Sequence, residues 1–208
     1  MKLYELNLGA ESFDVLELLG KADNSMLEIY TANESLVHQA MYIRDEMDWS
    51  TWARNMHLLA NSGKVKELHN VCTVNALCLE SLTEFLSYLL KFKEQYGKDF
   101  PSFTLNILRF PSFQSPLALP DNIRTLHKDR LQQWYDKNAD NELLHEHELN
   151  QTQRLIDYLD VVKTPHSDAF DMPKLHNDFK QFYSQYDIRR NKNFEKSFPS
   201  MKEWYDGL

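Results

Sequence analysis

Glycine is scarce in this chain of 208 residues: there are five, and no Gly-rich phosphate-cradling loop can be drawn from them. No Gly-x-Ser-x-Gly nucleophile elbow is present either. Cysteine is scarcer, with only Cys72 and Cys78, whose spacing and company fit neither a zinc site nor a disulfide framework. No apolar run approaches the ~20 residues that cross a bilayer, and Met1-Lys2-Leu3 leads into no signal-peptide core. A reducing cytoplasm without membrane contact is therefore expected. Positive charge is also short. Lys and Arg number 23 against 31 Asp and Glu, a net charge of −8, which argues against nucleic-acid binding through phosphate neutralisation. What is present is 42% hydrophobic and 12% aromatic residues, enough for a real core. The length fits one domain, or one domain with an appendage.

Hydrophobic periodicity gives the organisation. Leu3–Leu8 alternates and reads as a strand, followed by Gly9. Glu11–Lys21 repeats Phe13, Leu16 and Leu19 at helical spacing, with Glu11 or Ser12 as cap and Gly20 near the end. Met26–Thr31 reads as a strand and delivers Thr31-Ala32-Asn33 at its carboxyl end. A loop or short helical turn leads to Met41-Tyr42-Ile43-Arg44, and a helix covers Asp48–Asn61, stopped by Ser62-Gly63. Val65–Thr73 is a further strand that Val74 and Asn75 continue. Leu79–Tyr96 is the strongest helix, closed by Gly97, and Phe103–Phe110 a fourth strand. Alternating strands and helices predict an α/β fold with a parallel sheet and helical crossovers.

The pattern breaks at Phe110–Pro120, whose prolines exclude continuous helix and central strand. This is an ordered loop, either a rigid connector or a wall beside a ligand. Beyond it the chain reads as helical: Asp121–Lys137, Glu142–Val162 with Leu149, Leu155, Ile156 and Leu159 inward, and Met172–Tyr186 after an Asp171 cap and Pro173. Pro165 closes the second of these, and Phe198-Pro199 stops the chain before a short final segment, Met201–Tyr205. Two regions follow, 1–120 and a helical extension, 121–208.

Polar residues at strand ends are the candidates for a site, because ligands of parallel βα architectures collect outside the carboxyl ends of the strands. Thr31, Asn33 and Arg44 lie after the second strand, Asn75 after the third and Arg109 after the fourth. Each also has a structural reading. Thr31 and Asn33 suit a strand end and a turn, and Arg44 has Asp45, Glu46 and Asp48 as nearby partners. Histidines give no ligand pattern. In His145-Glu146-His147-Glu148 the i and i+2 positions point about 200° apart on a helix, so the run reads as a solvated face. His38, His57, His69 and His127 are isolated; His166, Asp168, Asp171 and His176 flank one loop without metal-ligand spacing. Arg189-Arg190-Asn191-Lys192 matches a helix C-terminus.

Three segments together carry a resemblance. Thr31-Ala32-Asn33 followed by Tyr42-Ile43-Arg44 and Trp49, then Leu108-Arg109-Phe110-Pro111 with Leu119-Pro120, then Tyr186-Asp187-x-Arg189-Arg190-x-Lys192-Asn193-Phe194 with Phe198-Pro199 and Glu203-Trp204, resemble the radical SAM enzymes, in the phage-type twitch or SPASM-related branch. There a Ser-x-Asp and a Tyr-Ile-Arg follow the fourth strand, and here Thr31 and Asn33 stand at the Ser and Asp positions. The resemblance implies a partial (βα) barrel of about four strands, entered at the family's third strand. It implies S-adenosylmethionine as cofactor, Arg44 toward its carboxylate, and 5′-deoxyadenosyl radical chemistry on an unknown substrate.

The resemblance also implies a [4Fe–4S] cluster on Cys-x-x-x-Cys-x-x-Cys, which this sequence lacks. The cluster is expected from an N-terminal part or a partner chain, and this chain alone is expected to be inactive. No auxiliary cluster is expected in 121–208. The first strand is then an exposed parallel edge. The alternative is a non-catalytic α/β binding or assembly protein that keeps the scaffold.

Overall fold

The computed structural model describes residues 2–10, 14–21, 27–161 and 171–208. Glu11, Ser12, Phe13, Met26, Val162, Pro165, His166 and Asp168, all named above, lie outside the described residues.

Four strands form one open sheet in the order β1 (Lys2–Glu5), β2 (Leu27–Ala32), β3 (Val65–Val74), β4 (Ser102–Ile107). Every neighbouring pair is parallel, and the α/β class with helical crossovers is what the chain adopts. The crossovers are α1 (Val15–Lys21), α2 (Val37–Ile43) with α3 (Trp49–Asn61), and α4 (Leu79–Tyr96). After β4, two short 3₁₀ turns at Ser112–Gln114 and Pro116–Ala118 lead to α5 (Asp121–Asn138), α6 (Glu146–Leu159), α7 (Met172–Arg190), α8 (Phe194–Ser197) and α9 (Lys202–Asp206).

The two faces of the sheet differ. Ile29, Leu68, Cys72, Phe103 and Leu105 share one face and are fully buried in the core. Tyr30, Glu67, His69, Val71, Thr73 and Thr104 alternate with them on the other, where they are only half-buried. On that second face the Tyr30 and His69 rings stack at 4.5 Å, and His69 Nε2 lies 3.1 Å from Glu67 while Nδ1 is bonded to the Ser102 hydroxyl. One register shift occurs: Leu27 pairs with Val65 but Glu28 with Glu67, leaving Lys66 as the bulged residue. Its ammonium reaches Glu67 at 2.7 Å and Glu28 at 3.7 Å.

The two sheet edges are treated differently as well. On β4, the Phe103 amide donates to Glu148 Oε1 (2.7 Å), the Leu105 amide to Gln151 Oε1 (2.5 Å), and the Leu105 carbonyl accepts from Arg154 Nη2 (2.7 Å). Side chains of α6 thus stand in for a fifth strand and blunt the edge. At the other end of the order, β1 pairs only with β2 among the described residues.

Several expectations are corrected. The first strand ends at Glu5 rather than Leu8: the Leu6 amide still donates to the Tyr30 carbonyl (2.8 Å), after which Leu8 turns into the core. Gly9 packs closely there: a Cβ would lie 2.7 Å from Met47 Cγ and would have to displace that side chain. Helix α1 begins at Val15, because the Asp14 carboxylate accepts from the Leu16 and Glu17 amides; Leu16, read at helical spacing on one side with Leu19, is 63% exposed while Leu19 is buried. Strand β4 stops at Ile107 and Phe110 is 82% exposed. Helix α6 starts at Glu146 rather than Glu142, since Asn141 caps a separate turn at the Leu143 amide. Helix α7 runs on to Arg190 and ends at Asn191, a residue tolerant of its left-handed φ of 50°.

In the run His145–Glu148, Glu146 and His147 are exposed as expected, but Glu148 leaves the solvated face. Glu148 is fully buried, accepts from the His145 and Phe103 amides, and lies 2.9 Å from Lys93 Nζ, itself fully buried. Lys93 also donates to the Lys98 carbonyl at 2.7 Å. The pair is tolerated inside because nearly all its hydrogen-bonding capacity is used.

Candidate functional site

Two clefts open at the carboxyl ends of the strands and share Ile43 and Arg44. The first, about 670 Å³, lies by the ends of β1 and β2 and includes Glu5, Asn7, Thr31, Asp45 and Met47. The second, about 360 Å³, lies by the end of β3 under α7, with Glu34, Thr73, Asn75, Gln114 and Tyr183 among its walls. Among the described residues, Arg44 is the one cationic side chain lining either cleft.

A carboxylate that the sequence reading passed over sits beside Arg44. Glu34 Oε2 accepts from Arg44 Nη2 (2.6 Å) and Nε (3.1 Å) and from the Thr73 amide (3.5 Å). Glu34 is 2% exposed. Burial raises its carboxyl above the usual range, and the adjacent guanidinium offsets part of that rise. Arg44 therefore does not pair with Asp45, Glu46 or Asp48. Asp48 caps α3 through the Thr51 amide (2.6 Å), and Asp45 pairs with Arg190 (2.5 Å) and Lys192 (3.6 Å). The signal available in the sequence was the unbroken polar trio Asn33-Glu34-Ser35 directly after a strand.

The five candidates do not form one group. Thr31 lines the first cleft, is 4% exposed, and its hydroxyl accepts from Trp52 Nε1 at 3.2 Å. Asn33 is fully buried and lines neither cleft: its Oδ1 accepts from the Glu34 (2.9 Å) and Ser35 (3.4 Å) amides, and its carbonyl from Asn70 Nδ2 (2.8 Å). Asn75 touches the second cleft, but its Oδ1 caps α4 at the Leu77 and Cys78 amides and its Nδ2 returns to the Thr73 carbonyl. Arg109 is exposed and lies over the Tyr158 ring at 5.7 Å, in a third cleft of about 380 Å³ with Ser112 and Ser115.

The two most distant motif segments meet. Tyr42 donates to Asp187 Oδ1 (2.7 Å), Tyr186 donates to the Tyr42 carbonyl (2.8 Å), and Asp187 Oδ2 accepts from the Phe194 amide (2.8 Å). Lys192 Nζ reaches the Met41 carbonyl at 2.9 Å. The Tyr42 ring packs against Tyr186 at 5.3 Å and edge-on to Phe198 at 5.0 Å. The basic run at 189–192 thus holds Asp45 as well as ending α7.

Cys72 and Cys78 are both fully buried, and burial pushes both thiols well above their ordinary range. A [4Fe–4S] cluster is held by a set of four, or with S-adenosylmethionine three, Cys thiolates, and these two buried thiols do not make up such a set. Among the described residues no three His, Cys, Asp or Glu side chains converge as a metal site. No helix of the described residues is long and apolar enough to cross a membrane. No family model, curated protein or solved structure matches the chain.

Proposed function

We propose that this chain is the later part of a radical SAM-type barrel, four parallel strands with crossover helices, contributing the Arg44 side of an S-adenosylmethionine and substrate site. The observation that carries the reading is Arg44: a single guanidinium common to two adjacent clefts at the carboxyl ends of β1, β2 and β3. Its fork geometry suits a carboxylate, and Nη1 makes no hydrogen bond among the described residues while Nε and Nη2 are held by Glu34. Sequential strand order with one buried and one half-exposed polar face supports a barrel segment over a doubly wound sheet, whose helices cover both faces.

The cluster that cleaves S-adenosylmethionine reductively to the 5′-deoxyadenosyl radical belongs, on this reading, to an N-terminal part or partner chain. The residues of this chain bind and orient. Arg44 meets the amino-acid carboxylate, Glu34 fixes the guanidinium plane, and Asp187 through Tyr42 fixes the helix that ends at Arg44. The test is calorimetric titration of S-adenosylmethionine into the full chain. Saturable binding is expected, weakened at least tenfold in Arg44→Lys, which keeps the charge and loses the fork. Equal binding by both proteins, or none by either, contradicts the reading.

One observation favours the alternative of a non-catalytic binding or assembly protein: β4 is covered by α6, whereas β1 has no second neighbour among the described residues. On that reading a partner strand pairs with β1, and S-adenosylmethionine does not bind.

A further inference from the structure

The second cleft has its own chemistry. Its polar walls are almost all committed elsewhere: both ends of the Asn75 amide serve the backbone, the Tyr42 hydroxyl is given to Asp187, and the Tyr186 hydroxyl to the Tyr42 carbonyl. Glu34 differs. Its three donors, Arg44 Nε, Arg44 Nη2 and the Thr73 amide, all converge on Oε2. Among the described residues Oε1 receives no hydrogen bond, although the residue is 2% exposed and lines the cleft. That oxygen is not sealed away from solvent, so it meets the cleft as an acceptor that a bound donor can use.

The remaining walls are aromatic. Phe182, Tyr183 and Tyr186 come from α7, with the Phe182 and Tyr186 rings near-parallel at 6.1 Å and Tyr183 edge-on to Phe182 at 5.0 Å. Aromatic faces attract cations and stack against flat rings. At about 360 Å³ the cleft is at the small end of ligand sites.

We infer that the second cleft is a distinct binding site for a small aryl-bearing primary amine, with its ammonium donating to Glu34 Oε1 and its ring against Phe182, Tyr183 and Tyr186. The site joins the two halves of the sequence: Glu34 and Thr73 come from the sheet region, while the aromatic wall comes from the C-terminal helix. It goes beyond the cofactor reading, which takes the first cleft and Arg44 Nη1; Arg44 also lines the second cleft, where its Nε and Nη2 are held by Glu34. Loss of S-adenosylmethionine binding alone leaves it standing.

The probe is phenethylamine, titrated into the full chain by NMR, with 3-phenylpropionate as the acid of matching shape. The amine is expected to saturate and the acid to bind at least tenfold more weakly. Glu34→Gln, which keeps shape and loses charge, weakens amine binding at least tenfold. Because that change also disturbs Arg44, Phe182→Ala provides a second arm. Phe182 is 40% exposed, so its loss leaves the thermal midpoint nearly unchanged and weakens the amine several-fold. Absence of amine binding, equal binding of amine and acid, or amine binding indifferent to Phe182→Ala each overturns the proposal.

Discussion

Lys93 and Glu148 form a buried ion pair whose cost and benefit can be measured separately. Breaking such a pair by removing one charge leaves the other uncompensated, at about 3–5 kcal/mol. Lys93→Met is expected to lose that much in urea unfolding. Glu148→Gln added to it is expected to recover part, because a Gln oxygen still accepts from the Phe103 amide. The sequence could not show this pair: its partners are 55 residues apart, and the letters around Glu148 are those of a surface helix. Helical spacing places side chains on a face but does not say which faces find a distant partner.

His127 is a second residue of this kind, 1% exposed with neither ring nitrogen hydrogen-bonded among the described residues. Burial, helped by Arg130, pushes its pKa from 6.5 down to about 4. The unfolded chain therefore takes up a proton that the folded chain refuses. Stability is complete above pH 6.5 and falls as pH drops toward 4, by about 3 kcal/mol, less whatever Glu80, 3.9 Å from Nε2, returns to the charged ring. Urea midpoints across that window are expected to fall in the native protein and to flatten in His127→Leu.

At the scale of elements, legibility followed local signals. Helices α3 and α4 were read nearly to the residue, because Asp48 at one start and Gly63 and Gly97 at the ends fix them within a turn of chain. Asp48→Ala is expected to cost about 1 kcal/mol as a lost cap, read from the thermal midpoint. Helix α6 was misplaced because its start is set by a side chain–backbone turn at Asn141 and by the strand it covers. That cover is testable. Gln151→Ala with Arg154→Ala uncovers the Leu105 amide and carbonyl, at about 1–3 kcal/mol. The exposed β4 edge is then expected to give concentration-dependent association in light scattering, absent in the native chain at equal concentration.

Across the whole molecule, the segments at 31–49 and 186–204 are bound to each other, so the C-terminal helices are part of the candidate site and not an appendage to it. Asp187→Ala removes the acceptor for the Tyr42 hydroxyl and the Phe194 amide together. Faster amide exchange is expected in α2 and α8 alike, with α3 and α4 unchanged; exchange altered only near residue 187 would separate the two segments. Of the site, Thr31 and Arg44 were legible as strand-end polar residues. Asn33 and Asn75 carry the same letters but spend them on backbone caps. Glu34 was hidden because a glutamate after a strand looks like any surface residue until its burial is known.

The most direct test of the central claim is chemical-shift mapping of S-adenosylmethionine on the isotopically labelled chain. Shifts are expected at the Arg44 guanidinium, the Thr31 and Ala32 amides and the Asp45–Met47 turn, all at the first cleft. Saturable shifts confined to the exposed Arg109 cleft, or no saturable shifts at all, would contradict the account.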